Sequence, residues 1–574
     1  AFQDENNLIN LYYLPMTELL IKILEEELTN KYLIIVEDIE YIDEGSLELI
    51  NKLIENKNSN LSFVMTYNTT SKREIDISGY VKQFIISNWS FDDVYKYLEF
   101  YHPNYISYCE KIYELTKGNP FYIEIMINNL IYSNTLSLSR DYLAEVFNCL
   151  SDVEEMILKY VSCFNGSVYL ENIFKIFLVD NSVIKKIQKL NILEIRDVDD
   201  RQKVYFKHSI LKEYIYNNLS ELEKQQFHLI IAEEIERNLK NDNLIKVYEI
   251  YFHYLKANNI VKKTQYKIKY LSLVSSYTHS VFPHTDKFDF ITDEHVTINK
   301  LKEELNELEQ IFNENVILKT NNKILIDFYT LKNRYDIIIG ETNNVEENIL
   351  KHIELCTATN DENELIKAYY IMIYHALNTG DYKTIDEYLS KINLIFDIDK
   401  NPITKRIQGY NYILKREYHK AIFALNEAID LSNKLSKELA ETNLVACYAY
   451  LGEAHIITHD YKRALKDLKR GEKIVNESSK YISGGILIKL FMAISHYRLG
   501  NNKIATEYIN ETCKAYASSD LGWKRCSCYL YARKIYKDCN LDYTIFDRKI
   551  NGCKIKYHSD LGKWLYKEYL KEVA

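Results

Sequence analysis

Apolar positions recur at helical spacing over residues 16–27, and the next apolar stretch, Tyr32-Leu33-Ile34-Ile35-Val36, meets no strongly polar position until it ends in Glu37-Asp38. A short run that is apolar on both faces predicts a buried parallel strand. Helical spacing returns over residues 46–54, and a second such run, Leu61-Ser62-Phe63-Val64-Met65-Thr66, gives way to polar Tyr67-Asn68-Thr69-Thr70. Strand, helix, strand, with each strand running out into polar residues, is the pattern of an α/β nucleotide site. From Phe91 onward the period is helical. It is broken at Lys117-Gly118-Asn119-Pro120, where glycine and proline together stop one helix and the next starts at Phe121. Residues 151–219 read as three short helices followed by the runs Ile192-Leu193-Glu194-Ile195-Arg196 and Val204-Tyr205-Phe206. The aspartate-rich Asp197-Val198-Asp199-Asp200-Arg201 joins the two runs. That is the order of a winged helix with a β-hairpin wing.

Beyond residue 220 only amphipathic helices separated by short polar turns are predicted. The turns recur as Asn258-Asn259, Gly380-Asp381-Tyr382, Glu417-Tyr418, His459-Asp460-Tyr461, Asn501-Asn502 and Leu541-Asp542-Tyr543. From Tyr382 through Tyr418, Tyr461, Asn502 and Tyr543 they keep a period of about 40 residues, which predicts a solenoid of helical hairpins. Small residues fall where the two helices of a hairpin have to meet closely: Gly409, Ala421 and Ala428, then Gly452, Ala464 and Gly471, then Ala493 and Ala505. The match is to tetratricopeptide-like repeats with lengthened helices. Each hairpin leaves an apolar face for its neighbour to cover, and the stack offers a concave surface to a peptide, a small ligand or another domain.

Composition sharpens this picture. The 574 residues contain 15 glycines and 5 prolines, well below the usual frequencies of about 7% and 5%, so the fold is expected to be mainly α. The chain is long enough for several domains. Lys and Arg number 72 against 82 Asp and Glu, a net charge of −10. No global basic field therefore invites nucleic acid, and DNA contact is expected only through a domain outside this chain. The nearest local candidates for such contact are Lys185, Lys186 and Lys189. No apolar run reaches the length of a membrane span. The ten cysteines include no CxxC pair, and without a leader segment they read as reduced thiols in a cytoplasmic protein. Cys526-Ser527-Cys528 is expected to be buried in its helix. His279, His284, Asp286, Asp293 and His295 are too irregularly spaced for a metal site and read as loop residues.

The most specific chemistry lies at the end of the first predicted strand. The segment from Leu33 to Ile50 resembles an extended Walker B motif, in which one strand-tip carboxylate holds Mg²⁺ through water and the next orients or deprotonates the water attacking the γ-phosphate. Glu37 and Asp38 occupy those places. The continuation through Ile39 to Asp43 and Ser46 to Ile50 resembles the signal-transduction ATPases with numerous domains, the STAND class of AAA-like P-loop proteins. It is also similar to the large SARP/LuxR-type bacterial transcriptional regulators. Met65-Thr66-Tyr67-Asn68 looks like that family's sensor 1 strand, with Asn68 where a basic residue often stands. Leu115 to Glu124 resembles its Gly-x-Pro motif, here Gly118-Asn119-Pro120, whose proline lies near adenine. Phe206-Lys207-His208-Ser209-Ile210 resembles the end of its winged helix, where a histidine approaches the diphosphate of ADP.

The resemblance implies four parts: the C-terminal part of an α/β NTPase core at 1–89, a helical subdomain at 90–145, a winged helix with its connecting helix at 146–240, and a tetratricopeptide-like solenoid at 241–574. It implies ATP or ADP with Mg²⁺ as cofactors, a protein or small-molecule inducer on the repeats, and self-association in the ATP state. It further implies a slow ATPase switch, most simply in a transcriptional regulator. Two other outputs stay open: a regulatory module of a nucleotide cyclase or protein kinase, and a non-enzymatic repeat scaffold. No GxxxxGK[ST] occurs in the sequence, so phosphate binding of the P-loop kind is expected only with residues preceding Ala1, in a longer chain.

Overall fold

The computed structural model describes residues 30–39, 42, 44–55, 60–67, 75–77, 82–133, 150–164, 166–189, 192–198, 201–207, 209–240, 243–278, 298–341, 344–395, 400–478, 484–518, 522–553 and 560–573. The chain divides into two compact units. One takes in residues 1–79, 242–248 and 264–574, and the other residues 80–241 and 249–263. The helix expected over residues 16–27 and the loop histidines of 279–295 lie outside the described residues. Among the described residues no helix is long and apolar enough to cross a membrane, and the cysteines are free thiols.

In the first unit, β1 (Tyr32–Val36) and β2 (Leu61–Met65) pair in parallel, from Tyr32 opposite Leu61 to Val36 opposite Met65. A parallel pair needs a crossover, and α1 (Glu44–Glu55) supplies it. The strands are not buried on both faces as their apolar runs predicted. Leu33, Ile35 and Val64 are exposed, Ile35 by 61%, because one crossover helix can cover only one face of a sheet.

The second unit begins with α2 (Phe91–Tyr101), started by a capping box between Ser90 and Asp93. A 3₁₀ turn (Pro103–Tyr108), α3 (Cys109–Thr116) and α4 (Pro120–Ser133) follow. Val94, Leu98, Ile112, Ile123, Met126 and Ile127 form their common core. A second capping box, Ser151 with Glu154, opens α5 (Asp152–Ser162). After it come β3 (Val168–Tyr169), α6 (Leu170–Phe177), α7 (Asn181–Lys189), β4 (Leu193–Val198) and β5 (Arg201–Phe206). The expected hairpin forms as β4 and β5, with Val198 opposite Arg201 at its tip. Strand β3 joins the far edge of β5, giving the antiparallel order β3-β5-β4. Two residues are too few to show an alternation, so β3 left no mark in the sequence pattern. The unit continues into α8 (Ser209–Asn218), α9 (Glu221–Asn238) and most of α10 (Leu244–Lys256).

Helix α11 (Ile260–Thr278) leads back into the first unit, where α12 (Ile298–Glu314) and the short α13 (Val316–Lys319) precede the repeats. The repeats are the hairpins α14 (Asn322–Ile339) with α15 (Val345–Thr359), α16 (Glu362–Thr379) with α17 (Tyr382–Asn393), and α18 (Pro402–Leu414) with α19 (Tyr418–Ser432). They continue with α20 (Lys437–Ile457) and α21 (Tyr461–Glu477), α22 (Gly484–Arg498) and α23 (Asn502–Ser518), then α24 (Arg525–Asp538) and α25 (Thr544–Asn551), with α26 (Asp560–Val573) last. One continuous core runs through them from Ile337 to Tyr569. The first helices of successive hairpins pack on one another, α14 on α16, α18 on α20 and α20 on α22, and so form one layer of the stack.

The recurrent turns have one geometry. Gly380, Arg416, His459, Gly500 and Asn540 all sit in the left-handed region just after a first helix. The next amide closes back on that helix: Asp381 to the Ala376 carbonyl, Glu417 to Tyr412, Asp460 to His455, Asn501 to His496 and Leu541 to Tyr536, each at 2.8 or 2.9 Å. These are the bonds of Schellman caps, which satisfy carbonyls that a helix end would otherwise leave open.

Candidate functional site

Two places combine polar chemistry with a defined backbone. The first is the tip of the β1–β2 sheet. Beyond Val36 the chain turns sharply, Asp38 taking a φ of 50°, a conformation that aspartate tolerates better than most residues. Thr66 holds the turn from three directions. Its amide donates to the Val36 carbonyl at 2.9 Å, its carbonyl accepts from the Ile39 amide at 2.9 Å, and its Oγ1 accepts from the Asp38 amide at 2.7 Å. Ile39 anchors the turn in the core, while the carboxylates of Glu37 and Asp38 remain exposed. Two hard oxygen donor groups open to water suit a magnesium ion that keeps most of its own waters. The Thr66 hydroxyl, having accepted one bond, still has its own O–H to donate. Of the expected site residues, then, Glu37, Asp38 and Thr66 come together; Asn68 lies outside the described residues.

Gly118, Asn119 and Pro120 form a joint in the second unit. Gly118 has a φ of +75°, and a Cβ there would sit 1.9 Å from the Trp89 carbonyl oxygen. The Trp89 amide donates to the Gly118 carbonyl at 2.8 Å. Asn119 caps α4, its Oδ1 accepting from the Phe121 amide at 3.0 Å, and Pro120 is the first residue of that helix, where its missing N–H costs nothing. Local backbone geometry thus accounts for each of the three. His208 lies outside the described residues. Lys186 pairs with Glu154 at 2.9 Å.

The second place lies in the layer of first helices of the repeats. Arg406 of α18 is buried and donates through Nη2 to the Tyr374 hydroxyl at 3.3 Å. Tyr410, one turn along, packs at 4.5 Å against the ring of Tyr450 of α20, tilted by 47°, and Trp523 packs against both rings at 5.5 and 5.9 Å. Lys524 forms a buried ion pair with Glu453. Three bonds fix this Trp523–Lys524 turn: that ion pair, the Gly522 amide to the Ile338 carbonyl at 2.8 Å, and the Tyr516 hydroxyl to the Trp523 carbonyl at 2.9 Å. Sequence reasoning missed this cluster. Its one local signal is that Arg406 falls on the apolar stripe of α18 with Ile403, Tyr410 and Ile413.

A third feature, also unforeseen, is buried in the second unit. Nδ1 of His228 lies 2.8 Å from Nδ1 of His253, and Nε2 of His228 lies 3.1 Å from the Tyr216 hydroxyl. Burial, aided by the Lys256 charge, pushes His228 down to about 4. Burial and then His228 itself push His253 down to about 3.

No protein-family model matches the chain, and a search of curated proteins returns no match. Among solved structures the chain is similar to a signal transduction ATPase with numerous domains that carries a tetratricopeptide repeat sensor, from Pyrococcus horikoshii. The TM-score is 0.54 at 15% identity, over 97% of this chain and 84% of that one. The apo form of RapI matches at a TM-score of 0.30 and 14% identity, over 51% of this chain and 75% of that one. Yeast Tom70 matches at 0.31 and 14%, over 80% and 96%. The first likeness bears on fold alone: a mainly α chain with a tetratricopeptide-like solenoid.

Proposed function

We propose that this chain is part of a nucleotide-governed signalling switch whose repeats sense an inducer, most simply within a transcriptional regulator. The observation that carries the reading is the strand tip, where Glu37 and Asp38 stand exposed on a turn fastened by Thr66. The order of parts supports it: an α/β segment, helices joined at Gly118-Asn119-Pro120, three helices with a hairpin, then a solenoid. Likeness in fold to the STAND protein of Pyrococcus horikoshii, which carries a tetratricopeptide repeat sensor, supports the solenoid part of this reading.

In this reading Glu37 and Asp38 would hold Mg²⁺, and Asp38 would take a proton from, or orient, the attacking water. Bound Mg²⁺ supplies neutralisation of charge on the transferring phosphoryl group. The Thr66 hydroxyl, which accepts from the Asp38 amide, would keep its own O–H to offer a phosphate oxygen. The sequence contains no GxxxxGK[ST], so the phosphate cradle has to come from residues outside it. The exposed apolar face of β1–β2 supports further strands and helices covering this sheet in the working protein. Nucleotide state and inducer would then be coupled only as far as each binds the open and closed forms differently.

The test is Asp38→Asn in the complete natural protein, asparagine being chosen because it tolerates the left-handed backbone at this position. ATP binding is expected to persist while hydrolysis falls by roughly 10²-fold or more. A protein that binds no ATP at physiological concentration would sink the switch. It would favour instead a non-enzymatic repeat scaffold, a reading that the missing phosphate-loop motif supports.

A further inference from the structure

Five cations are buried among the described residues of the repeat-bearing unit: Lys267, Arg406, Lys489, Lys524 and Arg533. Four of them have a carboxylate. Lys267 meets Glu304 at 2.7 Å and Glu307 at 2.8 Å, Lys489 meets Glu511 at 2.7 Å, Lys524 meets Glu453, and Arg533 meets Asp547 at 2.8 Å and Glu572 at 2.9 Å. Among the described residues Arg406, only 4% exposed, does not. Its Nη2 donates to the Tyr374 hydroxyl, and its Nε has no partner among the described residues. The groups that face it are three phenols and a thiol, those of Tyr370, Tyr374, Tyr450 and Cys447. Burying a charge costs several kcal/mol unless a counter-ion and hydrogen bonds compensate it. A guanidinium cannot escape that cost by losing its proton.

We propose that Arg406 is the receptor for the anionic group, a carboxylate or a phosphate, of a small acidic ligand bound in the layer of first helices beside Tyr374, Tyr410 and Tyr450. The unsatisfied Nε–H of this guanidinium is matched to an oxygen of such a group. The surrounding tyrosines provide an apolar wall for the rest of the ligand. Trp523 packs against Tyr410 and Tyr450, so its turn has to yield some of this surface to a ligand larger than the bare anion. The inference deepens the sensor reading given above and names the chemistry of the inducer.

Calorimetric titration of the full chain, without nucleotide and at constant ionic strength in chloride, uses inorganic phosphate in one arm and succinate in the other. One of the two is expected to bind at a single site with millimolar or better affinity, and the arm that binds identifies the group. Arg406→Gln is expected to weaken that binding about tenfold or more. It should leave the Tm of the unliganded chain unchanged or raised, since it removes a charge without a counter-ion. Binding of neither anion, or binding that Arg406→Gln leaves intact, overturns the site. If Arg406→Gln does not fold, Tyr374→Phe removes the hydroxyl that orients the guanidinium and should weaken binding by about threefold or more; unchanged affinity there overturns it equally. Because no nucleotide is present, failure here leaves the switch itself to be judged by the Asp38→Asn protein.

Discussion

At 2.8 Å apart the Nδ1 atoms of His228 and His253 can share one proton and no more. One ring donates, the other accepts, and a second proton would place two cations in contact away from water. Burial is the main reason that both rings are held neutral, at about 4 and about 3. An unfolded chain takes up these protons near pH 6.5. Below that pH the unfolded state binds more protons than the native one, so stability is full above about 6.5 and is lost as pH falls towards about 4. The slope approaches about 1.4 kcal/mol per pH unit for each ring. Tm measured from pH 7.5 to 4.5 should therefore fall, and fall less steeply in His253→Gln, which keeps a hydrogen-bonding group beside His228. The partnership was not legible in the sequence. Each histidine sits in an apolar helical stretch, Gln226-Phe227-His228-Leu229 and Tyr251-Phe252-His253-Tyr254, and only the packing of α9 against α10 makes them neighbours. Glu37 and Asp38 were legible, because two acids after an apolar run is a local pattern. The Thr66 bond that shapes their turn spans 28 residues and required the strand pairing.

Among elements, the helical hairpin was the most readable, and its turn explains why. A Schellman cap needs a left-handed residue followed by an amide that closes back on the helix. The chain meets that need with glycine at 380 and 500 and with longer side chains at 416, 459 and 540. A Cβ at Gly500 would meet nothing within 4 Å, so Gly500→Ala isolates the backbone term. It should destabilise by about 1 kcal/mol, seen as a lower denaturant midpoint with an unchanged slope. Gly452 makes the opposite demand. It lies mid-helix in α20, where alanine alone would gain about 1 kcal/mol of helix propensity, but a Cβ there comes 2.5 Å from Leu468 Cδ2. Gly452→Ala should thus lose about 1–3 kcal/mol net, and pairing it with Leu468→Val should recover part of the loss. The turn residues and the small residues at hairpin contacts both repeat at a fixed interval, which is why this architecture could be read before any contact was known. The β1–β2 sheet was read as covered on both faces and is not, since a run of apolar residues states what a strand needs rather than what packs on it.

For the whole repeat array, the Trp523–Lys524 turn ties distant hairpins together. Lys524 reaches back to Glu453, 71 residues earlier, and both side chains are buried. Removing the cation leaves the Glu453 carboxylate buried without it, so Lys524→Ala should cost about 3–5 kcal/mol. Lys524→Met combined with Glu453→Leu, which removes both charges, should cost much less; chemical denaturation of the three proteins measures the difference. By itself the sequence determined what is local or periodic. It specified that the chain is mainly α, because glycine and proline are scarce and apolar residues recur every three to four positions. It also specified that the C-terminal part is a stack of hairpins, because the cap signature returns about every 40 residues, and that two acids end a strand. Tertiary structure alone decided which charges are buried, which find a counter-ion, and which histidines touch. Those outcomes depend on side chains tens of residues apart converging in a low-dielectric interior, where a missing partner costs far more than it would in water.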